Sequence, residues 1–448
     1  MLRVVWLSLI FFADFHTSSA QKNEWVKTIS GTNNQCGKGI CTDIWGNCYV
    51  TGVFKNELIT DSFPVKSKGQ EDIFFAKYST TGKLKWLKHF GSKDYDFGKS
   101  LTCDSRGDIL LTGYFGDTIT FGKIRLISKG NSDVFIAKFD SSGKTLWAKQ
   151  FGGKGFDFGK DIVLDKENNI FIAGTFQDTI SIDNKTFISN GSSDIFTAKF
   201  DKEGTLKWLN FSGGKKFDYG NGIVIDKEGN SISTGFFQDT ARFGDTTLVS
   251  KGYYDVFISK QDSKGNFLWV KQAGGNGHDE AHGIGIDNQG NSYIAGYYDS
   301  DCFFGNISLK VFNKEVDDLF IAKYNSNGIL MWAKGAGDFT NDIAYDIQTD
   351  SSGNSYITGV FYGKLNLGKV FIKSIGSDDS FIIKYNTNGD ALWATQVGGN
   401  GSAYGFAVCA DNNGTVFSTG YFSGKENAGQ QSITATDKFD IFINKVNE

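Results

Sequence analysis

Residues 133–153 read DVFIAKFDSSGKTLWAKQFGG, and this stretch holds the plan of the whole chain in miniature. Asp133 and Phe135 share one side of an extended segment and Lys138 takes the other, because side chains alternate along a strand. A short polar turn ending in Gly143 reverses the chain. A second extended segment then carries Trp147.

Working outward, the same pattern returns at fixed intervals. Trp25, Trp86, Trp147, Trp208, Trp269, Trp332 and Trp393 are spaced 61, 61, 61, 61, 63 and 61 apart, so only the fifth repeat carries an insertion. Asp-x-Phe-x-x-Lys recurs in all seven copies, from Asp72, Phe74 and Lys77 to Asp440, Phe442 and Lys445. Eighteen residues after each Trp stands Asp43, Asp104, Asp165, Asp226, Asp287, Asp350 or Asp411, and Gly or Asn follows three residues later. Those residue types tolerate the positive φ of a tight hairpin. An apolar run then ends in Gly52, Gly113, Gly174, Gly235, Gly296, Gly359 or Gly420. A glycine inside a strand marks a bulge or the close approach of another backbone.

Each unit therefore predicts four short strands, in the first repeat around residues 39–42, 47–54, 72–78 and 84–90. With one proline and 56 glycines in the chain, tight hairpins are expected and helices are not. A small sheet that is apolar on both faces cannot stand alone in water. Copies must stack, and a ring of sheets does so without leaving an open end. The predicted fold is all-β, a seven-bladed β-propeller over residues 21–448. Residues 24–28, which hold Trp25, form an orphan fourth strand that should complete the last blade. The Trp and offset-eighteen Asp columns are read as structural, because an active site needs one asymmetric constellation and these are seven equal ones.

Trp147-Ala148-Lys149-Gln150-Phe151-Gly152-Gly153, followed by Asp165 with Asn168 and Asn169 and by Ala173-Gly174-Thr175-Phe176, resembles the bacterial SBBP (seven-bladed β-propeller) repeat. The likeness runs along the whole chain after the leader. It implies a secreted or surface protein and little about chemistry. Phe139-Asp140-Ser141-Ser142-Gly143-Lys144-Thr145-Leu146-Trp147 is also similar to a signature of quinone-dependent propeller dehydrogenases. Those enzymes have eight blades, a calcium carboxylate cluster and adjacent cysteines. Seven repeats and no adjacent cysteines in this chain assign the shared stretch to hairpin architecture.

Arg3, the apolar run from Val4 to Ala13 and the small residues Ser18, Ser19 and Ala20 form a signal-peptide pattern, so residues 1–20 are expected to be removed on secretion. No later run is apolar enough to span a bilayer, so no membrane insertion is expected. The net charge is −4 and no Lys/Arg block is present, which argues against nucleic acid. The six cysteines show no forced pairing. Cys41 and Cys103 differ by one in register and could meet across neighbouring blades. No cofactor or metal site is expected, and a monomer is.

The loop leading into each first strand carries Asp96, Asp157, Asp218, Asp279 and Asp342, replaced by Gln35 and Ala403 in repeats one and seven. In a propeller this loop borders the axial mouth. Aromatics flank several of these carboxylates, Phe158 and Tyr219 among them, and aromatics beside carboxylates are what a sugar-binding rim uses. The alternative is that each Asp ties its own turn to glycine amides. Repeat five departs most from the rest, with His278, Asp279, Glu280 and His282 in that loop. The two histidines would lie about 13 Å apart in an extended segment, too far to share a metal. The expectation is a secreted, non-enzymatic binding or scaffolding propeller that engages a glycan or protein on its axial face. The alternative is a propeller hydrolase, lyase or quinone-type oxidoreductase that uses the same carboxylates.

Overall fold

The computed structural model describes residues 22–59, 64–183, 185–411 and 414–447. The leader expected at residues 1–20 lies outside them. Every regular element among the described residues is a strand, and no helix is long and apolar enough to cross a membrane.

The chain is a β-propeller of four-stranded antiparallel blades. In repeat two, Asp96–Cys103, Ile109–Phe115, Asp133–Phe139 and Thr145–Phe151 pair in that order as a meander. The next two repeats do the same, with inner strands Phe158–Leu164 and Asp218–Ile225. The middle strands show why the sheets must stack. Ile170–Phe176 is buried at every position, whereas the outer Thr145–Phe151 keeps only Phe151 fully covered. Side chains from adjacent sheets share each core layer. Phe75 of one sheet meets Phe139 of the next at 5.1 Å between ring centroids, within a cluster that also takes in Leu111 and Phe135. Burying one such side chain contributes about 1.5–3 kcal/mol.

Repeated polar groups fasten neighbouring sheets. Trp86 Nε1 donates to the Ser141 carbonyl at 3.3 Å and Trp208 Nε1 to the Ser263 carbonyl at 3.0 Å, in each case a turn of the following repeat. Lys77 and Lys260 donate to the same class of carbonyl, those of Ser141 and Ser326. Each of these lysines also sits beside the hairpin Asp of its own repeat, as Lys260 does with Asp226 at 2.8 Å. Asp226 Oδ1 meanwhile accepts from the amides of Glu228 and Asn230, so a single carboxylate holds the turn and a cation.

The ring is joined by the first described strand. Lys22–Thr32 runs antiparallel to Asp440–Asn447, with Val26 opposite Asn444 and Thr28 opposite Phe442. Its far end, Ser30 to Thr32, pairs instead with Ile59 to Glu57.

One feature exceeds the four-strand expectation. Between the second and third strands most repeats insert a two-stranded ribbon, as in Thr118–Phe121 with Ile124–Ile127 and Thr240–Phe243 with Thr246–Val249. Alternating Ile119 and Phe121, both fully buried, and the positive φ of Gly122 carry this signal in a span that the four-strand pattern leaves as connection. Some ribbons bond to the preceding sheet: Gly214 pairs with Ala241 and Ala273 with Phe304. The Sγ atoms of Cys41 and Cys103 lie 2.9 Å apart, both thiols being free.

Candidate functional site

Every inner strand carries a β-bulge at the same place. Register slips between Gly37 and Gly39, Gly98 and Ser100, Gly159 and Asp161, and Gly220 and Gly222. It slips likewise between Ala281 and Gly283, Ala344 and Asp346, and Gly405 and Ala407. The glycine column of the second strand lies opposite: a Cβ at Gly113 would collide with the Phe97 carbonyl oxygen, and one at Gly174 with that of Phe158. Those glycines therefore make the bulge possible, and a bulge re-aims the extra residue.

The re-aimed residues are Lys38, Lys99, Lys160, Asn221, His282, Tyr345 and Phe406, and all line one cavity of about 480 Å³ where the inner strands converge. Small neighbours such as Gly39, Gly222 and Ala407 leave it open. The lining is asymmetric, with lysines from repeats one to three and a histidine and aromatics from repeats five to seven. Lys38 Nζ stands 3.3 Å from the Phe406 ring centroid, and His282 stacks on Tyr345 at 5.4 Å with the rings nearly parallel. Burial and the charges of Lys160 and Lys38 hold Lys99 well below the usual lysine range. Burial and Lys38 bring Lys160 down to about 8, with Glu280 pulling the other way.

The carboxylates expected at the rim are instead sealed beneath it. Asp96, Asp157, Asp218, Asp279 and Asp342 are completely buried. Each accepts from an amide four residues earlier: Ser92 for Asp96 (2.5 Å), Gly153 for Asp157, Gly214 for Asp218 and Gly275 for Asp279 (2.7 Å each), and Asp338 for Asp342 (3.0 Å). The physical reason is the buried turn, whose amide would otherwise lack an acceptor. Burial pushes Asp96 and Asp157 up to about 8, Asp218 and Asp279 to about 7 and Asp342 to about 9. In repeat seven, where Ala403 takes this place, Glu426 reaches in from the ribbon and accepts from Gly401 at 2.7 Å.

The aromatic half of the expected rim is open. Tyr95, Phe156, Phe217 and Phe339 at loops entering the blades, and Tyr253 in the loop before the third strand of repeat four, are between 41% and 76% exposed. Bridges between Ser132 and Phe156 and between Ser193 and Phe217 set an entry loop beside the loop before the third strand of the preceding repeat. Ring contacts lead inward from them. Tyr253 stacks on His278, His278 meets Tyr254, Tyr254 meets Phe236, and Phe236 stacks on Tyr219 inside the cavity. Phe158 lies below Phe156 at 6.0 Å and against Tyr114 at 4.5 Å. Of the repeat-five pair, His278 bonds Asp299 at 2.8 Å on the face, and His282 bonds Glu280 at 3.3 Å in the cavity.

The β-propeller repeat of the SBBP family matches residues 146–175 and 268–301. The chain carries SBBP repeats. The first SBBP match contains Phe158 and the bulge residue Lys160, and the second contains His278, Glu280 and the bulge residue His282. The chain is also 22% identical over 510 residues to the uncharacterized WD repeat-containing protein L264 of Acanthamoeba polyphaga mimivirus, covering 89% of this chain and 36% of that protein. It is 23% identical over 349 residues to the regulatory protein FlaEY of Caulobacter vibrioides, covering 70% of this chain and 35% of that one. The chain thus spans about a third of the length of these relatives. Among solved structures it is similar to Sqt1 from Chaetomium thermophilum, with a TM-score of 0.47 at 7% identity over 96% of this chain and 100% of that one. Regucalcin from Agrobacterium tumefaciens gives a TM-score of 0.36 at 11% identity over 78% and 91% of the two chains.

Sequence reasoning missed the bulge column. Its signal was present: a residue of changing identity framed by small residues, as in Gly37-Lys38-Gly39 and Gly98-Lys99-Ser100.

Proposed function

We propose that this chain is a secreted, seven-bladed binding propeller, one blade per repeated Trp, that holds a glycan on its axial-loop face. The observation that carries this reading is the group of exposed aromatics around blades two to six, linked by ring contacts to the axial cavity. Flat rings on rigid blades suit the apolar faces of sugars and lose little freedom on binding. Binding fits the cavity better than acid–base chemistry does. Asp161 already accepts from Ser100 and from the Ile223 amide, and Asp346 from the Val408 amide.

A glycan array probed with the chain lacking residues 1–20 tests the reading, with Phe156→Ala and Phe217→Ala as paired variants. The expected result is retention of a glycan set that both variants lose while melting as the parent does. Retention unchanged in both variants, or a face that captures only proteins, would overturn it. Secretion is tested separately by N-terminal sequencing of exported protein, which should begin near Gln21.

A further inference from the structure

The axial cavity holds three lysines that no carboxylate contacts within ion-pair distance. Lys38, Lys99 and Lys160 make no ion pair among the described residues. They face rings instead: Lys99 Nζ lies 5.1 Å from Phe97 and 5.7 Å from Tyr114, and Lys160 Nζ lies 5.4 Å from Phe158 and 5.7 Å from Tyr219. Elsewhere in the repeat, lysines are brought to carboxylates, as Lys138 is to Asp104 at 3.3 Å and Lys260 to Asp226 at 2.8 Å. The bulges thus gather lysines where the repeat supplies no ion-pair partner.

The acids that line the same cavity are engaged. Asp161 and Asp346 are bound to main-chain amides, and Glu280 bonds His282 and the Tyr297 hydroxyl. The cavity thus sets three lysines among three acids, so it suits one negative charge better than a polyanion. Beside Lys38 stands the Phe406 ring, with Tyr345 4.7 Å beyond it, and Asn221 offers its amide oxygen while its Nδ2 donates to the Ala281 carbonyl at 2.9 Å. A cation arc, an aromatic wall and a hydrogen-bonding amide fit a ring that bears a single anionic substituent and hydroxyl groups.

Resting on the glycan reading above, we propose that the axial cavity binds a sugar bearing one carboxylate, with the carboxylate among Lys38, Lys99 and Lys160 and the ring against Tyr345 and Phe406. The mutual repulsion and burial that depress Lys99 and Lys160 are relieved when an anion arrives, so binding and lysine protonation favour each other. The volume of about 480 Å³ admits one or two sugar rings, within the range of small-molecule pockets.

The test is isothermal titration calorimetry on the chain lacking residues 1–20, with sodium glucuronate, glucose, sodium acetate and sodium phosphate as probes. Glucuronate should bind, glucose and acetate should each bind about tenfold or more weakly, and Lys99→Met or Lys160→Met should weaken glucuronate about tenfold. Tyr345→Ala should weaken glucuronate and leave acetate unchanged, because Tyr345 stacks on His282 and carries no lysine, which separates ring contact from charge. Thermal melts of each variant show whether it is folded. Should Lys99→Met fail to fold, Lys99→Gln and Lys160→Gln carry the same comparison. Equal binding of glucose and glucuronate, or no effect of the lysine changes, sinks the inference while the aromatic-face reading stands. Phosphate binding as tightly as glucuronate reduces the cavity to a general anion site and overturns the sugar assignment. Loss of all glycan retention on the array overturns the reading on which both rest.

Discussion

Two columns of the same repeat behave in opposite ways. At the hairpin end, the Asp, Lys and Trp positions are filled alike in repeat after repeat, and each group satisfies a neighbour: Asp226 its turn and Lys260, Trp208 the Ser263 carbonyl. On the inner strands, the bulge position changes from lysine to asparagine, histidine, tyrosine and phenylalanine, and its residues face a shared cavity. Uniform chemistry marks the groups that make blades adhere. Broken uniformity marks where the molecule has chemistry to spare. If this division is right, substitutions in the first column act on stability and those in the second act on binding.

The largest expected effect lies in the hairpin-end column, at the seam. Trp25 is buried and packs edge-on against Phe417 at 5.9 Å, and its indole donates to the Thr80 carbonyl at 3.1 Å. Trp25→Ala should cost about 3–5 kcal/mol, and more than Trp208→Ala, whose sheet is held by a continuous chain. Thermal melts that lower Trp208→Ala as far as Trp25→Ala would remove the special status of the seam.

Next in size is Asp226→Ala, which leaves Lys260 buried beside no anion and should cost about 3 kcal/mol in urea titrations. Against the upward push of burial, hydrogen bonds from Lys260 and Asn230 hold the Asp226 carboxyl below the usual range. Its contribution is therefore present above the unfolded value of about 4 and fades as pH falls through the lower folded value.

The buried axial-loop acids shift the other way and give a smaller, opposite pH signature. Asp157 keeps its proton up to about 8 in the folded state and releases it near 4 when unfolded, so stability falls as pH rises across that window. Asp157→Asn keeps an acceptor for the Gly153 amide and removes the proton. It should flatten the decline in stability between pH 5 and about 8, read from urea titrations at several pH values. A slope unchanged from the parent would show that Asp157 is ionised in the fold.

The smallest stability effect is expected at the bulge. Lys160→Met should stay within about 0.5 kcal/mol of the parent, or gain, because it removes an unpaired cation from a low-dielectric site. A loss as large as that of Asp226→Ala would erase the distinction between the two columns.

These columns were not equally legible before the fold was known. The blades were readable because Trp, Asp and Lys recur at one spacing and each does local work: a turn, a strand face, a stem over an aromatic ring. The ribbons were not, since Thr118–Phe121 is too short to stand out beside the longer strands. For the axial carboxylates the residues allowed two readings, a ligand-facing rim or a tie to glycine amides, and the structure shows the tie, with the Gly153 amide donating to a fully buried Asp157, a choice that spacing alone does not encode. The lysine arc escaped notice for a related reason. Lys38, Lys99 and Lys160 look like ordinary surface residues until a bulge turns all three toward one axis.

The strand Lys22–Thr32 carries a consequence for assembly. One of its partners, Glu57–Ile59, leaves the ribosome shortly after it, whereas the other, Asp440–Asn447, follows some four hundred residues later. A ring joined this way cannot lock until residues 440–447 have been made, so the opening segment must wait, half paired, until then. Contacts so far apart in sequence form slowly. The rate-limiting step of ring closure should therefore be the arrival of Asp440–Asn447, and a chain cut just before Asp440 should accumulate as an open arc that invites capture by a second copy.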